Sequence, residues 1–147
     1  MTRIDVVKIE LVKEKTMPYD GARKISSPDD AATILRQFIG NADREVFVAL
    51  LLSTKRNVNA IHTVGIGTLD ASLAHPREVF KAAVVANAQS IIVGHNHPSG
   101  DCTPSEEDQN LTHRLFESGK ILGIGVLDHV VIGDCHYFSF HKNGMLG

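Results

Sequence analysis

Two cysteines in 147 residues are too few for a disulfide framework, and Cys102 and Cys135 do not form a C-x-x-C pair. No apolar run approaches the roughly 20 residues that span a bilayer, so no membrane segment is expected. The opening stretch MTRIDVVKIELVKEK breaks its apolar residues with charge, which argues against a signal peptide or an anchor. A dominant charge is missing too: the formal net charge is -2, and basic residues are scattered singly or in pairs such as Arg23-Lys24 and Lys55-Arg56. Without a basic stripe, direct nucleic-acid binding is not expected, and an anionic membrane surface has little to attract. Repeats, low-complexity tracts and linker-like stretches are also lacking, so a single domain over residues 1–147 is expected. Together these absences leave a soluble, cytoplasmic protein as the expectation.

What is present is globular. Hydrophobic residues make up 43% and charged residues 22%, close to ordinary averages, and the length suffices to bury a core. Ile4, Val6, Ile9 and Leu11 alternate with a phase change, which predicts a bulged opening strand. In SSPDDAATILRQFIG, Ser27 is placed to cap a helix, Pro28 suits its first turn, Asp29 and Asp30 favour the positive dipole end, and Gly40 stops it. EVFVALLLS, from Glu45 to Ser53, has the continuous apolarity of a strand covered on both faces. Lys55 to Asn57 then turn the chain into a hairpin partner, VNAIHTVGIG. Val79, Phe80, Ala83, Val84 and Ala86 form a helical stripe after Pro76. SIIVG is a short buried strand, PSEEDQNLTHRLFESG a helix ending at Gly119, and IGVLDHVVIGD and HYFSF two closing strands. Alternating strands and helices imply a layered α/β domain on a mixed sheet.

Chemistry concentrates in VGHNHPSGDCTPSEED, Val93 to Asp108. If the strand is extended to its end, His95 and His97 project from one face and Asn96 from the other. Turn residues follow, and Thr103-x-x-Glu106 reads as a capping box with Pro104 at the first helical position. That assignment uses Glu106 in the cap, leaves Glu107 to solvent and puts Asp108 on one helix face with Ser105. Two imidazoles and Asp108 make three metal ligands with a fourth position open, the pattern of catalytic rather than structural zinc sites. The donor set suits Zn²⁺ and, less selectively, other first-row metals. A water there would be activated. Glu45, at the mouth of its strand, is the candidate general base, and Ser105 could donate a hydrogen bond to an oxyanion.

The pattern His95-x-His97-x7-Ser105-x2-Asp108 with an upstream Glu resembles the JAMM metal motif of JAB/MPN metalloproteases. GTLDASLAHPREVFKAA, HNHPSGDCTPSEED and LGIGVLDHVVIGD resemble the bacterial RadC family over nearly the whole chain. The resemblance implies a three-layer α-β-α sandwich related to cytidine deaminases. It implies His95, His97 and Asp108 as zinc ligands, Glu45 as the water-activating acid/base and Ser105 as oxyanion partner. The implied activity is a zinc metallopeptidase or isopeptidase acting on peptide or protein. The family's traditional association with DNA repair supplies the alternative, an interaction module with a metal site and no hydrolysis. The helix-hairpin-helix region of longer RadC proteins has no counterpart in these residues, and Cys102 stands where PSGDPTPS has proline.

Competing readings are blander. The letters H-N-H do not make a nuclease of that nickname, whose motif residues are dispersed. Nucleobase deamination needs H-x-E…P-C-x-x-C, which is missing. Cys102 reads as a small loop residue rather than a fourth ligand, Asp101 as a turn acid, and His75 as a helix cap. His129, beside Asp128, reads as a satisfied strand histidine for which a supporting role behind the ligands is conceivable. His62, His113, His136 and His141 show no partner spacing. An unpaired sheet edge leaves a homodimer open.

Overall fold

The alternation in the apolar run from Glu45 to Leu52, which forms β1, divides the protein into two cores. Val48, Leu50 and Leu52 face one cluster; Phe47, Ala49 and Leu51 face the other. The pleat sends successive side chains to opposite faces, so a strand apolar throughout must be covered twice. On the first side lies α1 (Pro28–Ile39), which buries Ala31, Ala32, Ile34, Leu35 and Ile39. On the second lie α2 (Pro76–Val85) and α3 (Glu106–Leu122), contributing Val79, Phe80, Ala82, Ala83 and Leu115. The computed structural model describes residues 1–67 and 74–146, so Thr68 to Leu73, part of one stretch carrying the sequence resemblance, and Gly147 lie outside the described residues.

The sheet has the order β2-β1-β3-β4-β5, with β2 at Val58–Gly67, β3 at Ser90–Asn96, β4 at Gly125–Ile132 and β5 at Tyr137–Ser139. Among the described residues only β3 and β4 pair in parallel. This is the expected three-layer α-β-α arrangement on a mixed sheet. Helix ends follow the sequence signals at two places. Ser27 and Asp30 form the capping box of α1, with Gly40 beyond its last turn at φ 62°. The His75 imidazole accepts the Arg77 amide 3.1 Å away and caps α2. Among the described residues no helix is long and apolar enough to cross a membrane.

Three sequence expectations are corrected. Residues 1–19 form no strand, and Ile4, Val6, Ile9 and Leu11 are exposed; alternation without a neighbouring strand closes no ladder, and isolated strands are not stable. The capping box at Thr103 and Glu106 does not form. The Asp101 carboxylate takes both the Thr103 amide and hydroxyl, at 2.9 and 2.7 Å, so Ser105 becomes the cap and Asp108 closes the box. The helix does not end at Gly119. It runs to Leu122 and stops at the left-handed Gly123, φ 73°, while at Gly119 a Cβ would come within 2.4 Å of the Ile124 carbonyl.

An irregularity in β4 reorients the second half of that strand. Ile91 pairs with Val126 but Ile92 pairs with Asp128, so Leu127 is an extra residue in β4. A bulge of this kind inverts the facing of every later side chain. Val126 accordingly joins the α2/α3 core, Val130 and Ile132 join the α1 core, and His129 turns towards α3.

Gly94 lies under α1 with no room to spare, since a Cβ there would stand 2.4 Å from Leu35 Cδ1 and 2.9 Å from Cδ2. Gly94→Ala is expected to lower the unfolding free energy by about 1–3 kcal/mol through overpacking. Denaturant midpoints measure this, and an unchanged midpoint would show that Leu35 yields freely.

Candidate metal centre

On β3, Ile91, Val93 and His95 share the face that meets α2 and α3. The His97 amide bonds the Ile132 carbonyl at 2.9 Å, carrying the parallel pairing with β4 one step past the strand. α3 begins nearby, and its first turn holds Asp108. β1 supplies Glu45. One donor atom from each of Glu45, His95, His97 and Asp108 lies within 4.8 Å of the other three. The four residues the sequence singled out as ligands and general base are therefore brought together. His95 is fully buried, Glu45 and Asp108 nearly so, and His97 partly.

The spacing inside this group tests whether a metal fits. His95 Nε2 stands 3.1 Å from His97 Nε2, 3.3 Å from Asp108 Oδ1 and 3.4 Å from Glu45 Oε1. His97 Nε2 stands 3.1 Å from Asp108 Oδ2. A tetrahedral zinc with bonds near 2.1 Å has ligand-to-ligand edges of about 3.4 Å. These four separations are close to such an edge, with His95 and His97 meeting different oxygens of Asp108 and all four residues offering an atom within 4.8 Å of one another. Two carboxylates are buried here, yet their ion-pair partners are only these histidines; among the described residues no lysine or arginine joins them. Glu45 Oε2 is buried with no hydrogen-bond partner at all. Buried charge in this form calls for a cation.

Local hydrogen bonds aim each group. The capping box fixes Asp108: its Oδ2 accepts the Ser105 amide at 2.9 Å while its own amide donates to Ser105 Oγ at 3.0 Å. His97 Nδ1 lies 2.8 Å from the Asp101 carbonyl. The ladder between β1 and β3 ends at Phe47 and His95, so backbone pairing with β3 does not reach Glu45. Asn96 replaces it. Its Oδ1 accepts the Val46 amide at 2.7 Å and its Nδ2 donates to the Arg44 carbonyl at 2.9 Å, gripping the chain on both sides of Glu45.

Behind His95 lies a layer that sequence reasoning saw only in part. His95 Nδ1 is 2.8 Å from His129 Nε2, and His129 Nδ1 is 2.6 Å from Thr112 Oγ1. Phe47 stacks on His95 and Phe140 on His129. The supporting role conceived for His129 is what the geometry gives it. Thr112 was missed, although it stands four residues after Asp108, one turn along the same helix face. Asn96 was read only as pointing away. Ser105 sits at the exposed rim, joined to Asp108 and outside the four-donor group; Cys102 is also outside it.

Burial sets the proton affinities. It raises the Glu45 carboxyl, against the pull of His95 and His97. It also opposes ionisation of Asp108, but hydrogen bonding to His95, His97 and the Ser105 amide prevails and holds that carboxyl far below its ordinary range. The bond to Asp108 raises His97 in spite of burial, helped by the Asp101 carbonyl. Full burial drives His129 well down.

A metal must displace any proton on His97 Nε2, so the raised affinity of that nitrogen makes protons stronger competitors. Zinc affinity, measured by chelator competition between pH 5.5 and 8, is expected to rise with pH. The slope should approach about tenfold per unit on the acid side, one proton leaving per metal bound. A flat profile would exclude His97 as a ligand.

Comparison with known proteins agrees with the residues. The family model described as a RadC-like JAB domain matches residues 25–145. A UPF0758 protein of Rubrobacter xylanophilus is 49% identical over 139 residues, 94% of this chain and 61% of that protein. A UPF0758 protein of Alkaliphilus oremlandii is 47% identical over 84% of this chain and 53% of its own length. One from Methanosarcina mazei is 45% identical over 90% of this chain and 58% of its own length. The chain spans little more than half the length of these relatives. With the match extending from the start of α1 past the last strand, the chain belongs to the RadC-like JAB domain family.

Proposed function

We propose that the protein is a zinc-dependent hydrolase cleaving peptide or isopeptide-type amide bonds, with His95, His97 and Asp108 as ligands, Glu45 as proton carrier and Ser105 as oxyanion donor. The observation that carries this reading is a buried carboxylate with an unpartnered oxygen, Glu45 Oε2, beside His95, His97 and Asp108, whose donor atoms approach one another at 3.1–3.3 Å. Zn²⁺ held there would supply Lewis acidity and lower the pKa of its water towards neutrality. Two imidazoles and a carboxylate are a donor set that zinc favours.

Each residue then has a definite task. Burial strengthens the hold of Glu45 on a proton, which suits a group that takes one from water and returns it to a leaving nitrogen. Asn96 keeps that carboxylate facing the site. Ser105 Oγ accepts the Asp108 amide, so its own hydrogen is free to meet a developing oxyanion. The partner is a peptide or protein, since a net charge of -2 favours no polyanion. Free thiols at Cys102 and Cys135 fit a reducing cytoplasm.

Zinc-loaded wild type and Glu45→Gln assayed on peptide and isopeptide libraries test the reading. The variant is expected to retain its zinc and lose about 10²–10⁴-fold in kcat; equal turnover would remove Glu45 from the chemistry. Ser105→Ala should cost about 10² in kcat, together with about 1 kcal/mol of stability from the lost cap, the latter read separately from thermal melts.

A further inference from the structure

A metal-ligating histidine usually donates its second ring N–H to a carbonyl or carboxylate, and that acceptor fixes which nitrogen keeps its lone pair. His97 follows the rule: Nδ1 lies 2.8 Å from the Asp101 carbonyl, which can only accept. His95 does not. Its Nδ1 meets another imidazole, Nε2 of His129, at 2.8 Å. An imidazole can donate or accept at that position, so this contact alone leaves His95 undetermined. Something further back must decide.

We infer that the Thr112 hydroxyl, acting through His129, fixes a hydrogen on Nδ1 of His95 and so makes Nε2 the nitrogen that His95 offers to the metal. Thr112 Oγ1 lies 2.7 Å from the Asp108 carbonyl oxygen and 2.6 Å from His129 Nδ1. Two oxygens at 2.7 Å attract only with a hydrogen between them, and a carbonyl has none to give. The single hydroxyl hydrogen of Thr112 therefore points to Asp108. Thr112 can then only accept from His129, which must carry its hydrogen on Nδ1. His129 is sealed from water, with Phe140 stacked on it, the edge of Phe47 against it and no carboxylate bonded to its ring, so it is neutral. Its Nε2 thus holds a lone pair and accepts from His95 Nδ1–H. The opposite polarity would place a hydrogen on His95 Nε2, the nitrogen that faces His97, Asp108 and Glu45.

The chain of bonds begins and ends on one residue. Asp108 presents its carboxylate to the centre, and its backbone carbonyl, through Thr112 and His129, orients the imidazole on the other side. Thr112 and His129 are positioning residues; neither reaches the four-donor group. The inference rests on the metal-site reading only for its purpose, because the tautomers are a property of the protein itself.

The test uses ¹⁵N-labelled protein freed of metal, with imidazole nitrogens assigned by long-range ¹H–¹⁵N correlation, together with zinc Kd by chelator competition. Wild type is expected to carry a hydrogen on Nδ1 of both His95 and His129, the neutral Nδ1–H form appearing at His95 once Nε2 has lost any proton it shares with Asp108. Thr112→Val, close in shape, should lose that preference and bind zinc about 10–100-fold more weakly, whereas Thr112→Ser should restore both. Amide spectra of each variant establish that it folds; should Thr112→Val not fold, the wild-type tautomers and the Thr112→Ser Kd decide. The Nε2–H form at His95 in wild type, or unchanged tautomers and Kd in Thr112→Val, would overturn the relay. Expected tautomers in a wild type that binds no zinc would support the relay and defeat the hydrolase reading instead.

Discussion

Glu45 and Asp108 are carboxylates withdrawn from water at the joined ends of two strands and a helix, and among the described residues the side chains paired with them are imidazoles. Burying such groups without full compensation is costly, so the rest of the fold must hold them where they would not settle. Two apolar clusters, one on each face of the sheet, provide that framework. The interior strand β1 contributes alternate side chains to both, and Glu45 is its first residue. Moving Glu45 away from the centre means disturbing a strand buried at all but one of its positions. The site is strained in charge and rigid in position, a pairing common where function competes with stability.

Asp108 ties helix formation to the centre. Its Oδ2 both accepts the Ser105 amide and faces His97 Nε2, while Oδ1 faces His95. A cap displaced by one residue would turn the helix start through about 100° and carry Asp108 off the imidazoles. The start of α3 is therefore a geometric requirement of the site as much as a matter of helix stability.

Much of this was legible in the sequence where one local rule governs. His95 and His97 are two residues apart on a strand, so the pleat alone puts them on one face. Ser27 with Pro28 and Asp30 opens α1 for reasons contained in those residues. Illegible features are those that depend on a partner distant in sequence or on competition between neighbours. Thr103 is as good a cap as Ser105 until Asp101 takes its amide and hydroxyl. Ile4 to Leu11 alternate like a strand, but no neighbour in the sheet accepts them. The bulge at Leu127 leaves no mark in composition, yet it alone turns His129 to the α3 side. Glu45 could be named but not placed, because Asn96 ties it to β3 by a side-chain bridge where backbone pairing with that strand has ended.

The parallel pairing of β3 and β4 explains why the candidate metal centre lies at this end of the sheet. A parallel pair needs a crossover, here α3, which must begin where β3 ends. Its N-terminus consequently points its free amides, worth about half a positive charge, at the same space as His95 and His97. Left bare, that end would favour an anion. Asp108 reverses the preference, because its carboxylate lies in the first turn, accepts the Ser105 amide and adds a full negative charge in front of the helix dipole. Against burial, the His95 and His97 imidazoles hold the carboxyl ionised, with a smaller contribution from the Ser105 amide. The crossover thus delivers the terminus, and a single aspartate turns its charge from one that favours anions to one that favours a cation.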